Sequence, residues 1–420
     1  MESEPLMPQL RFPDFQDAPR WVEESFSHLY RFGPTNTFSR DQLNYTSGTV
    51  KNIHYGDIHT RFQAFFDIRR EVVPFINPAE IPNGPGLNTL CEEGDLIFAD
   101  ASEDVADVGK SIEIVELDGQ QLVSGTHTIL AKRIGFRLIV GFGGHLFRSP
   151  RIRARIRRES QGAKVSGLSP GRLATIPVFF PPDKAEQKKI AECLMSLDEL
   201  IEAEGRKLEA LRTHKKGLMQ SLFPREGETV PSLRFPQFCN DGEWERRPLS
   251  HIAENLDNRR VPITEQYRKK GNIPYYGASG VVDFVADYIF DDDLLCVSED
   301  GANLVTRTYP IAFPISGKTW VNNHAHVLRF TLPTTQKLVE TYLNETNLCD
   351  FITGMAQPKL NRAMLDIIPI PLPKPEEQRS IANCLTSLDA LITAQAKKFD
   401  TLKLHKQGLM QGLFPSTEEA

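Results

Sequence analysis

The chain has 420 residues, of which 40% are hydrophobic and 25% are charged, and its formal net charge is −6. This length exceeds what a single hydrophobic core covers, so two or three domains are expected. No apolar run reaches the roughly 18 residues of a membrane-spanning helix, and the acidic balance excludes a protein that holds nucleic acid by bulk positive charge alone.

The six cysteines are scattered without a CxxC pair, a pattern that favours neither a disulfide framework nor a zinc site. The N-terminal sequence MESEPLMPQLRF lacks the charged and then apolar segments of a secretory signal. We therefore expect a cytoplasmic protein with no membrane association.

The first part of the chain, residues 1–181, is predicted to be a globular domain preceded by an entry segment. The entry segment is PQLRFPDF at residues 8–15. Short β-rich runs follow, such as DLIFAD at 95–100 and SIEIVEL at 111–117, with helical stretches between them. This mixture predicts an α+β fold rather than a regular βαβ alternation.

A dense basic patch lies near the end of this domain, in the sequence RIRARIRRES that begins at Arg151. It follows Ser149-Pro150, which is a helix-start signal. The arginines either form a solvated helix face or contact phosphate groups, and the sequence does not decide between these interpretations.

A long helix is predicted over residues 182–224, because prolines separate it from the preceding segment. Its apolar positions recur at alternating steps of four and three residues, which is the seam of a heptad coiled coil. Glu204 and Lys215 interrupt this seam. The apolar seam residues are Ile190, Leu194, Leu197, Ile201, Leu208 and Leu211.

The rest of the chain repeats this order: a linker at 225–243, a second globular domain at 244–373, a second helix at 374–415 and a tail at 416–420. The linker contains PSLRFPQF, which echoes the entry segment at an offset of 223 residues. The second helix repeats the first at an offset of 191, with 23 of 39 aligned residues identical. The chain is therefore an internal duplication.

Equivalent seams in the two helices predict that they bury those seams against each other. The polar interruptions also match, since Gln395 and Lys406 occupy the places of Glu204 and Lys215. Polar seam residues cost stability and fix register. The apolar seam residues of the second helix are Ile381, Leu385, Leu388, Ile392, Phe399 and Leu402.

Catalytic motifs are missing from the sequence. It has no Gly-rich methyl-donor loop and no Asn/Asp-Pro-Pro-aromatic motif, and Gly109-Lys110-Ser111 lacks the earlier glycine of a phosphate-binding loop. The glycines at 141–144 lack the context of a dinucleotide site, and the histidines show no metal-ligand spacing. These absences favour a non-catalytic protein that binds or scaffolds, with no cofactor or metal of its own.

The duplicated motifs resemble those of the specificity subunits of type I restriction-modification systems. The similar features are the PxLRFPxF entries, the Pro-rich runs into helices that start with Glu-Gln, the closing GLMQSLFP and GLMQGLFP, and the strand KTWVNNHAHVLRF at 318–330. The resemblance implies two target recognition domains separated by two long antiparallel helices that form a coiled coil, related by a pseudo-two-fold internal repeat.

The same resemblance implies that each domain reads one half of a bipartite sequence in double-stranded DNA. The helices would set the spacer and dock two modification (methyltransferase) subunits, and restriction (translocase-nuclease) subunits through them. S-adenosylmethionine, ATP and Mg²⁺ would then bind those partners and not this chain. The alternative is a solitary two-headed DNA-binding or scaffold protein without enzyme partners. A third, an enzyme with an unfamiliar site, has no motif in its favour.

Candidate DNA contacts are polar, basic or aromatic residues in predicted loops and strand starts, because such side chains form hydrogen bonds with base edges or phosphates. In the second domain they are Tyr275, Tyr276, Ser279, Lys318, Trp320, Asn322, Asn323, Gln357 and Lys359. For Asn322 and Asn323, hydrogen bonding within a turn is an equal alternative. In the first domain they are Lys51, Asn52, His54, Tyr55, Arg61, Arg148, Arg151 and Lys164.

Overall fold

The computed structural model describes residues 7–81, 89–160, 166–225, 227–354 and 357–415. The chain forms two compact units, one made of residues 1–204 and 398–420 and the other of residues 205–397. This division passes through both long helices. Each unit therefore combines one globular domain with the beginning of one helix and the end of the other, whereas the sequence predicts domains and helices in series.

The first globular domain mixes short strands with short helices. Its elements are β1 (Val22–Ser25), α1 (Phe26–Leu29), β2 (Tyr30–Gly33), β3 (Leu43–Asn44), β4 (Val50–Ile53), α2 (Tyr55–Thr60), β5 (Phe65–Asp67), β6 (Phe75–Ile76), β7 (Leu96–Ala99), β8 (Ala101–Ser102), β9 (Ser111–Glu116), β10 (Gln121–Ser124), β11 (Thr128–Arg133), α3 (Gly143–Leu146), α4 (Pro150–Glu159), β12 (Ser166–Gly167), α5 (Pro170–Ala174) and β13 (Pro177–Phe180). Helix α6 (Lys184–Leu222) follows.

A five-stranded sheet in the order β2-β11-β7-β9-β5 organises this domain, beside a four-stranded sheet in the order β10-β4-β6-β3. Strand β7 is buried along its whole length. Its side chains alternate, as strand geometry requires, so that Leu96 and Phe98 join one hydrophobic cluster while Ile97 and Ala99 join another. Burial on both faces explains why this strand is continuously apolar.

The second globular domain has a related but smaller set of elements. They are β14 (Glu245–Pro248), β15 (Ala253–Asn255), β16 (Lys270–Gly277), β17 (Gly280–Val285), β18 (Phe290–Asp291), β19 (Leu294–Ser298), α7 (Asn303–Thr306), β20 (Ala312–Ile315), β21 (Lys318–Val321), β22 (Ala325–Phe330), α8 (Pro333–Glu345), α9 (Arg362–Asp366) and β23 (Pro369–Leu372). Helix α10 (Pro375–Leu413) closes the described chain.

Two four-stranded sheets, β15-β22-β19-β20 and β17-β16-β21-β18, form this domain. Strand β19 takes the place of β7: Leu295 and Val297 join one cluster, and Leu294 and Cys296 join another. Both domains thus keep a central strand that is buried on both faces, although the strands around it differ.

The long helices pair antiparallel within each unit. In the first unit Lys406 contacts Asp198, and Lys398 lies 2.5 Å from Glu204. Residue numbers therefore rise along α6 in the direction in which they fall along α10. In the second unit Lys215 pairs with Asp389 at 2.6 Å. The polar seam interruptions Lys215 and Lys406 each meet an aspartate of the other helix.

All twelve apolar seam residues are buried or half-buried. The first members of each seam pack into a globular core rather than only against the other helix. Ile190 and Leu194 belong to the main cluster of the first domain, and Ile381 and Leu385 to that of the second. This contact attaches the start of each helix to the domain that precedes it.

The repeated Glu-Gln pair at the helix starts has a structural purpose. Glu186 receives a bidentate hydrogen bond from Arg11 of the first entry segment, at 2.6 and 2.7 Å. Glu377 receives the same bond from Arg234, at 2.7 Å for both atoms. The side chain of Gln187 donates to the carbonyl oxygen of Pro181 at 2.8 Å, a contact that closes the preceding proline-rich turn.

Among the described residues, no helix combines the length and the apolar character needed to cross a membrane.

Candidate nucleic-acid interface

Three segments of the second domain meet at one edge of its sheets: the tip of the β16–β17 hairpin, the turn between β21 and β22, and the loop before α9. Ser298, at the end of β19, donates its hydroxyl hydrogen to the carbonyl oxygen of Ala278 in the hairpin tip at 2.6 Å. The N–H of Asn322 donates to the carbonyl oxygen of Tyr276 at 3.0 Å. We call this region the second-domain edge.

Several predicted contact residues lie at this edge and are exposed, namely Ser279, Asn323, Gln357 and Lys359. Tyr276 is half-buried and stacks on Phe313 with ring centroids 6.0 Å apart. The β-bridge between Asp300 and Lys359 brings the loop before α9 to the end of β19. The fold thus brings together Ser279 and Lys359, which lie 80 positions apart in the chain (359 − 279).

Two predicted contact residues of this domain are buried instead. The hydroxyl of Tyr275 accepts the N–H of Ile263 at 3.0 Å, and the guanidinium of Arg268 covers its ring. The side-chain oxygen of Asn322 accepts the N–H of His324 at 2.8 Å. Both side chains stabilise the domain from within, which corrects the expectation that they protrude from loops.

Lys318 and Trp320 lie within β21, before the turn that contains Asn322. The ammonium group of Lys318 is exposed and lies 4.7 Å from the centre of the Tyr288 ring. The indole N–H of Trp320 donates to the carbonyl oxygen of Val261 at 2.7 Å. The structure therefore does not bring these two residues into the second-domain edge.

A network of charged groups supports the second-domain edge from beneath. The ring of His326 is buried; its Nε2 lies 2.7 Å from the carbonyl oxygen of Leu360, and its Nδ1 lies 2.5 Å from Asp257. The two ring nitrogens of His326 therefore link Asp257 to the loop before α9. The network ties the loop before α9 to the sheet.

Arg260 completes the network by contacting Asp257 at 3.2 Å and Glu299 at 2.6 Å. Burial alone raises the pKa of Asp257, but the hydrogen bond from His326 and the nearby positive charges leave this pKa lowered overall. Asp257, Glu299 and His326 also stand close enough together to hold a metal ion. Since Arg260 pairs with both carboxylates and Lys359 lies 3.2 Å from Glu299, we assign this cluster to ion pairing.

The first-domain candidates are dispersed. Lys51 lies over the Phe75 ring at 5.2 Å, and the Nδ1 of His54 accepts the N–H of Gly56 as the cap of α2. Burial lowers the pKa of His54. Arg61 is exposed beside Asp57. Lys164 lies outside the described residues.

Asn52 is fully buried, and within the described chain neither its amide nitrogen nor its amide oxygen has a hydrogen-bond partner. The structure thus places this predicted contact residue in the interior of the domain. Its neighbour Tyr55 is half-buried, and its ring packs edge-on against His127 with centroids 5.3 Å apart.

The basic patch is partly structural. Arg151 is buried with its guanidinium 4.9 Å from the centre of the Phe179 ring. Arg148 donates to the carbonyl oxygens of Ser111 and Gln63, both at 2.8 Å. Burial lowers the pKa of Arg148 to about 10, so it still carries its charge at neutral pH. The structure thus gives Arg148 and Arg151 contacts within the domain.

Two arginines of the patch, Arg157 and Arg158, remain exposed. Arg153 donates to the carbonyl oxygens of Ala106 and Val108 at 2.8 and 2.7 Å and anchors the helix. The sequence spacing does not reveal which arginines are exposed, because that depends on the helix face that packs on the domain, which carries Arg151, Ile152 and Ile156.

A matching edge exists in the first domain and was missed by sequence reasoning. An open cleft there is lined by Asp100, Ala101, His127, Gly167, Leu168, Ser169 and Arg172. His127 immediately precedes β11, and its Nδ1 lies 3.4 Å from Asp100. We call this cleft the first-domain edge. A sequence signal for it is the segment GAKVSGLSPGRLATIPV at 162–178, which corresponds to GMAQPKLNRAMLDIIPI at 354–370 in the duplicate.

The glycine-rich stretch 141–144 is structural and is no dinucleotide loop. The carboxylate of the buried Glu113 accepts the N–H groups of Gly141 at 3.0 Å and Gly144 at 2.6 Å. A side chain on Gly144 would stand 2.7 Å from the carbonyl oxygen of Ala64. Close backbone packing therefore explains that glycine.

Comparison with known proteins adds family information to this geometry. The family model for the type I restriction modification DNA specificity domain matches residues 241–404. A putative type I restriction enzyme specificity subunit of Haemophilus influenzae is 36% identical over 149 residues, which are 36% of this chain and 38% of that relative. The MjaVIII specificity subunit of Methanocaldococcus jannaschii is 23% identical over 284 residues, which are 61% of this chain and 65% of that relative. The chain thus spans less than two thirds of either relative.

Solved structures share the fold over nearly the whole chain. The S subunit of a type I restriction-modification system from M. genitalium has a TM-score of 0.62 and 14% identity, covering 98% of this chain and 100% of that chain. A chain from a study of complex assembly in a type I system has a TM-score of 0.53 and 16% identity, covering 94% and 98%. The two-domain, two-helix α+β arrangement that the sequence predicts is therefore confirmed.

Proposed function

Because residues 241–404 match the family model of the type I restriction modification DNA specificity domain and the relatives named above are specificity subunits, we propose that this chain is the non-catalytic, DNA-recognising subunit of such a system. Each globular domain reads one half of a bipartite target in double-stranded DNA. The two helices set the number of unread base pairs between the halves.

The duplication carries this proposal. A bipartite target with a fixed spacer needs two readers and a stiff connection, and the chain repeats reader and helix with the same attachments. Arg11–Glu186 and Arg234–Glu377 fix each entry segment to a helix start. Lys406–Asp198 and Lys215–Asp389 pair the helices at equivalent positions. A helix of 39 residues is about 58 Å long at 1.5 Å per residue.

The enzyme chemistry belongs to partner subunits in this proposal. Two modification subunits dock on the helices and bring S-adenosylmethionine, while restriction subunits bring ATP and Mg²⁺. The net charge of −6 supports this division, because an acidic chain gains little from the sequence-independent attraction of DNA phosphates. The complex acts in the cytoplasm, where its DNA lies. A solitary two-headed DNA-binding protein is not favoured, since the relatives named above are specificity subunits.

The test is to isolate the tagged chain from its native host together with whatever subunits accompany it. We expect a methyltransferase to co-purify, and the preparation to select duplexes with two short fixed sequences at constant separation from a random library. Methylated adenines in the host genome should fall in the same bipartite sequence. Isolation of the chain without a methyltransferase, or selection of one continuous sequence, would contradict the proposal.

A further inference from the structure

The first-domain and second-domain edges are built on the same backbone. In the first domain, the N–H of Asp100 donates to the carbonyl oxygen of His127 at 3.1 Å, and the N–H of Leu168 donates to the carbonyl oxygen of Asp100 at 2.7 Å. In the second domain, the N–H of Glu299 donates to the carbonyl oxygen of His324 at 2.9 Å, and the N–H of Leu360 donates to the carbonyl oxygen of Glu299 at 2.8 Å.

Strand register supports the same equivalence. Thr128 pairs with Ala99 in the first domain, and Ala325 pairs with Ser298 in the second. His127 and His324 therefore occupy one position, immediately before the strand that lies antiparallel to the central buried strand. The loop residues Leu168 and Leu360 are 192 positions apart, which is the offset of the repeated loop.

Both equivalent histidines are exposed and paired with a carboxylate. The side chain of His127 is 57% exposed and lies 3.4 Å from Asp100. The side chain of His324 is 53% exposed, and its Nδ1 lies 2.7 Å from Asp300. In each domain the imidazole has its Nδ1 turned to the acid, so its Nε2 edge is available for another partner.

Each pair is held in place by its surroundings. His127 has a φ of 56°, a left-handed conformation that is unfavourable for residues other than glycine, and Tyr55 packs against its ring. In the second domain, Asn322 accepts the N–H of His324, and the network of His326 and Asp257 holds the facing loop. These contacts preorganise both pairs.

The chemistry of these pairs suits base edges in the major groove of DNA. An imidazole N–H donates to the O6 or N7 of guanine, and a carboxylate accepts from the N4 of cytosine or the N6 of adenine.

We propose that His127 with Asp100 and His324 with Asp300 are direct base-reading pairs, the first for one half of the target and the second for the other. This inference rests on the proposed function, since it names the residues by which each domain reads its half. Arg172 in the first domain and Lys359 in the second flank the pairs and position them beside the phosphate backbone.

The test uses the full chain isolated from its host with its accompanying subunits, and random-sequence duplexes as the probe. We expect His127→Ala and Asp100→Asn to reduce base preference about tenfold or more at a position in one half-site only. His324→Ala and Asp300→Asn should do the same in the other half-site. His28→Ala and His251→Ala are the controls, since these exposed histidines lie outside both edges, and the selected sequence should not change.

The outcomes separate the two proposals. If the wild-type preparation selects no bipartite sequence, the proposed function fails. If it selects one but all four variants retain every base preference, only the present inference fails. A uniform loss of affinity without a change in preference would also overturn it, because phosphate contacts weaken binding on all sequences alike. Thermal unfolding of each variant identifies a loss of fold, and the Asp→Asn variants, which keep side-chain size, then decide.

Discussion

Equivalent side chains in the two halves of the duplication make nearly the same contacts. Glu186 and Glu377 both lie at the start of a long helix, almost completely buried, and both bind an arginine through two hydrogen bonds. An ion pair of this kind is costly to break from one side, because the remaining charge stays buried without a partner. The repeated Glu-Gln motif is therefore a structural requirement of helix attachment.

We predict that Glu186→Gln lowers the free energy of unfolding by about 2–4 kcal/mol, because it leaves the Arg11 guanidinium without its carboxylate. Arg11 keeps its bonds to the carbonyl oxygens of Ala18 and Pro19, which limits the loss. Denaturant unfolding followed by circular dichroism measures it. The control is Glu192→Gln on the same helix, whose partner Lys188 is exposed, and equal effects of the two variants would contradict the prediction.

A second residue-scale prediction concerns pH. Burial raises the pKa of Glu113 to about 8, although the N–H groups of Gly144 and Gly141 counteract this shift. The folded state therefore holds the Glu113 proton more tightly than the unfolded state, whose pKa is near the ordinary value. The free energy of unfolding should then fall as pH rises from about 5 to 8, by about 1.4 kcal/mol for each unit of pKa difference.

Glu113→Gln should be less stable than the wild type at pH 5, since the amide nitrogen cannot accept a hydrogen bond from glycine. The difference should shrink toward pH 8, because only the wild type becomes charged there. Unfolding midpoints measured across this pH range check the prediction. Glu93→Gln, a change at an exposed position of the same domain, should show the pH profile of the wild type. Parallel profiles for Glu113→Gln and the wild type would disprove the prediction.

At the scale of elements, the long helices are paired by charge as well as by apolar seams. Asp198 and Lys406 meet in the first unit, where the buried ring of His145 lies 3.9 Å from Asp198. Burial lowers the pKa of His145 well below its ordinary value, so this ring is neutral. In the second unit Lys337 of α8 joins the equivalent pair at 2.8 Å.

We predict a coupling energy of about 1–2 kcal/mol between Asp198 and Lys406, because both side chains are largely shielded from water. A double-mutant cycle with Asp198→Asn and Lys406→Met measures this energy. The exposed pair Lys188 and Glu192 on α6 serves as the matched control, with an expected coupling below about 0.5 kcal/mol. A coupling no larger than the control would show that the seam charges do not select the pairing.

At the scale of the whole molecule, the compact units and the segments of the duplicate do not coincide. Each unit takes the start of one helix and the end of the other. The end of α10 illustrates this: Met410, Leu413 and Phe414 lie in the core of the first unit, together with Trp21. A domain exchange must therefore leave both helices intact.

We predict that replacing residues 244–373 by the corresponding segment of one of the specificity subunits named above changes one half of the recognised sequence and keeps both the other half and the spacer. The reason is that each domain carries its own edge, while α6 and α10 are unchanged. Selection from random duplexes measures the outcome. Exchange for the wild-type segment encoded with synonymous codons is the control, and a change in both halves would refute independent reading.

The sequence by itself determined the duplication, the two long helices with their apolar seams, and the family resemblance, because these depend on local periodicity and on motifs that occur twice. Only the tertiary structure decided which polar side chains face solvent. Tyr275, Asn52 and Arg151 look like contact residues along the chain, yet each is buried. Burial depends on which distant strands and helices pack over a residue, and periodicity does not specify that partner.

The first-domain and second-domain edges depend on tertiary structure for the same reason. His127 and Asp100 lie 27 positions apart, and His324 and Asp300 lie 24 apart, so no motif joins them. Antiparallel pairing of β11 with β7 and of β22 with β19 brings them together. The sequence repeat before α5 and α9 indicated one segment of each edge. The pairing of the strands placed that segment beside the histidine and the aspartate.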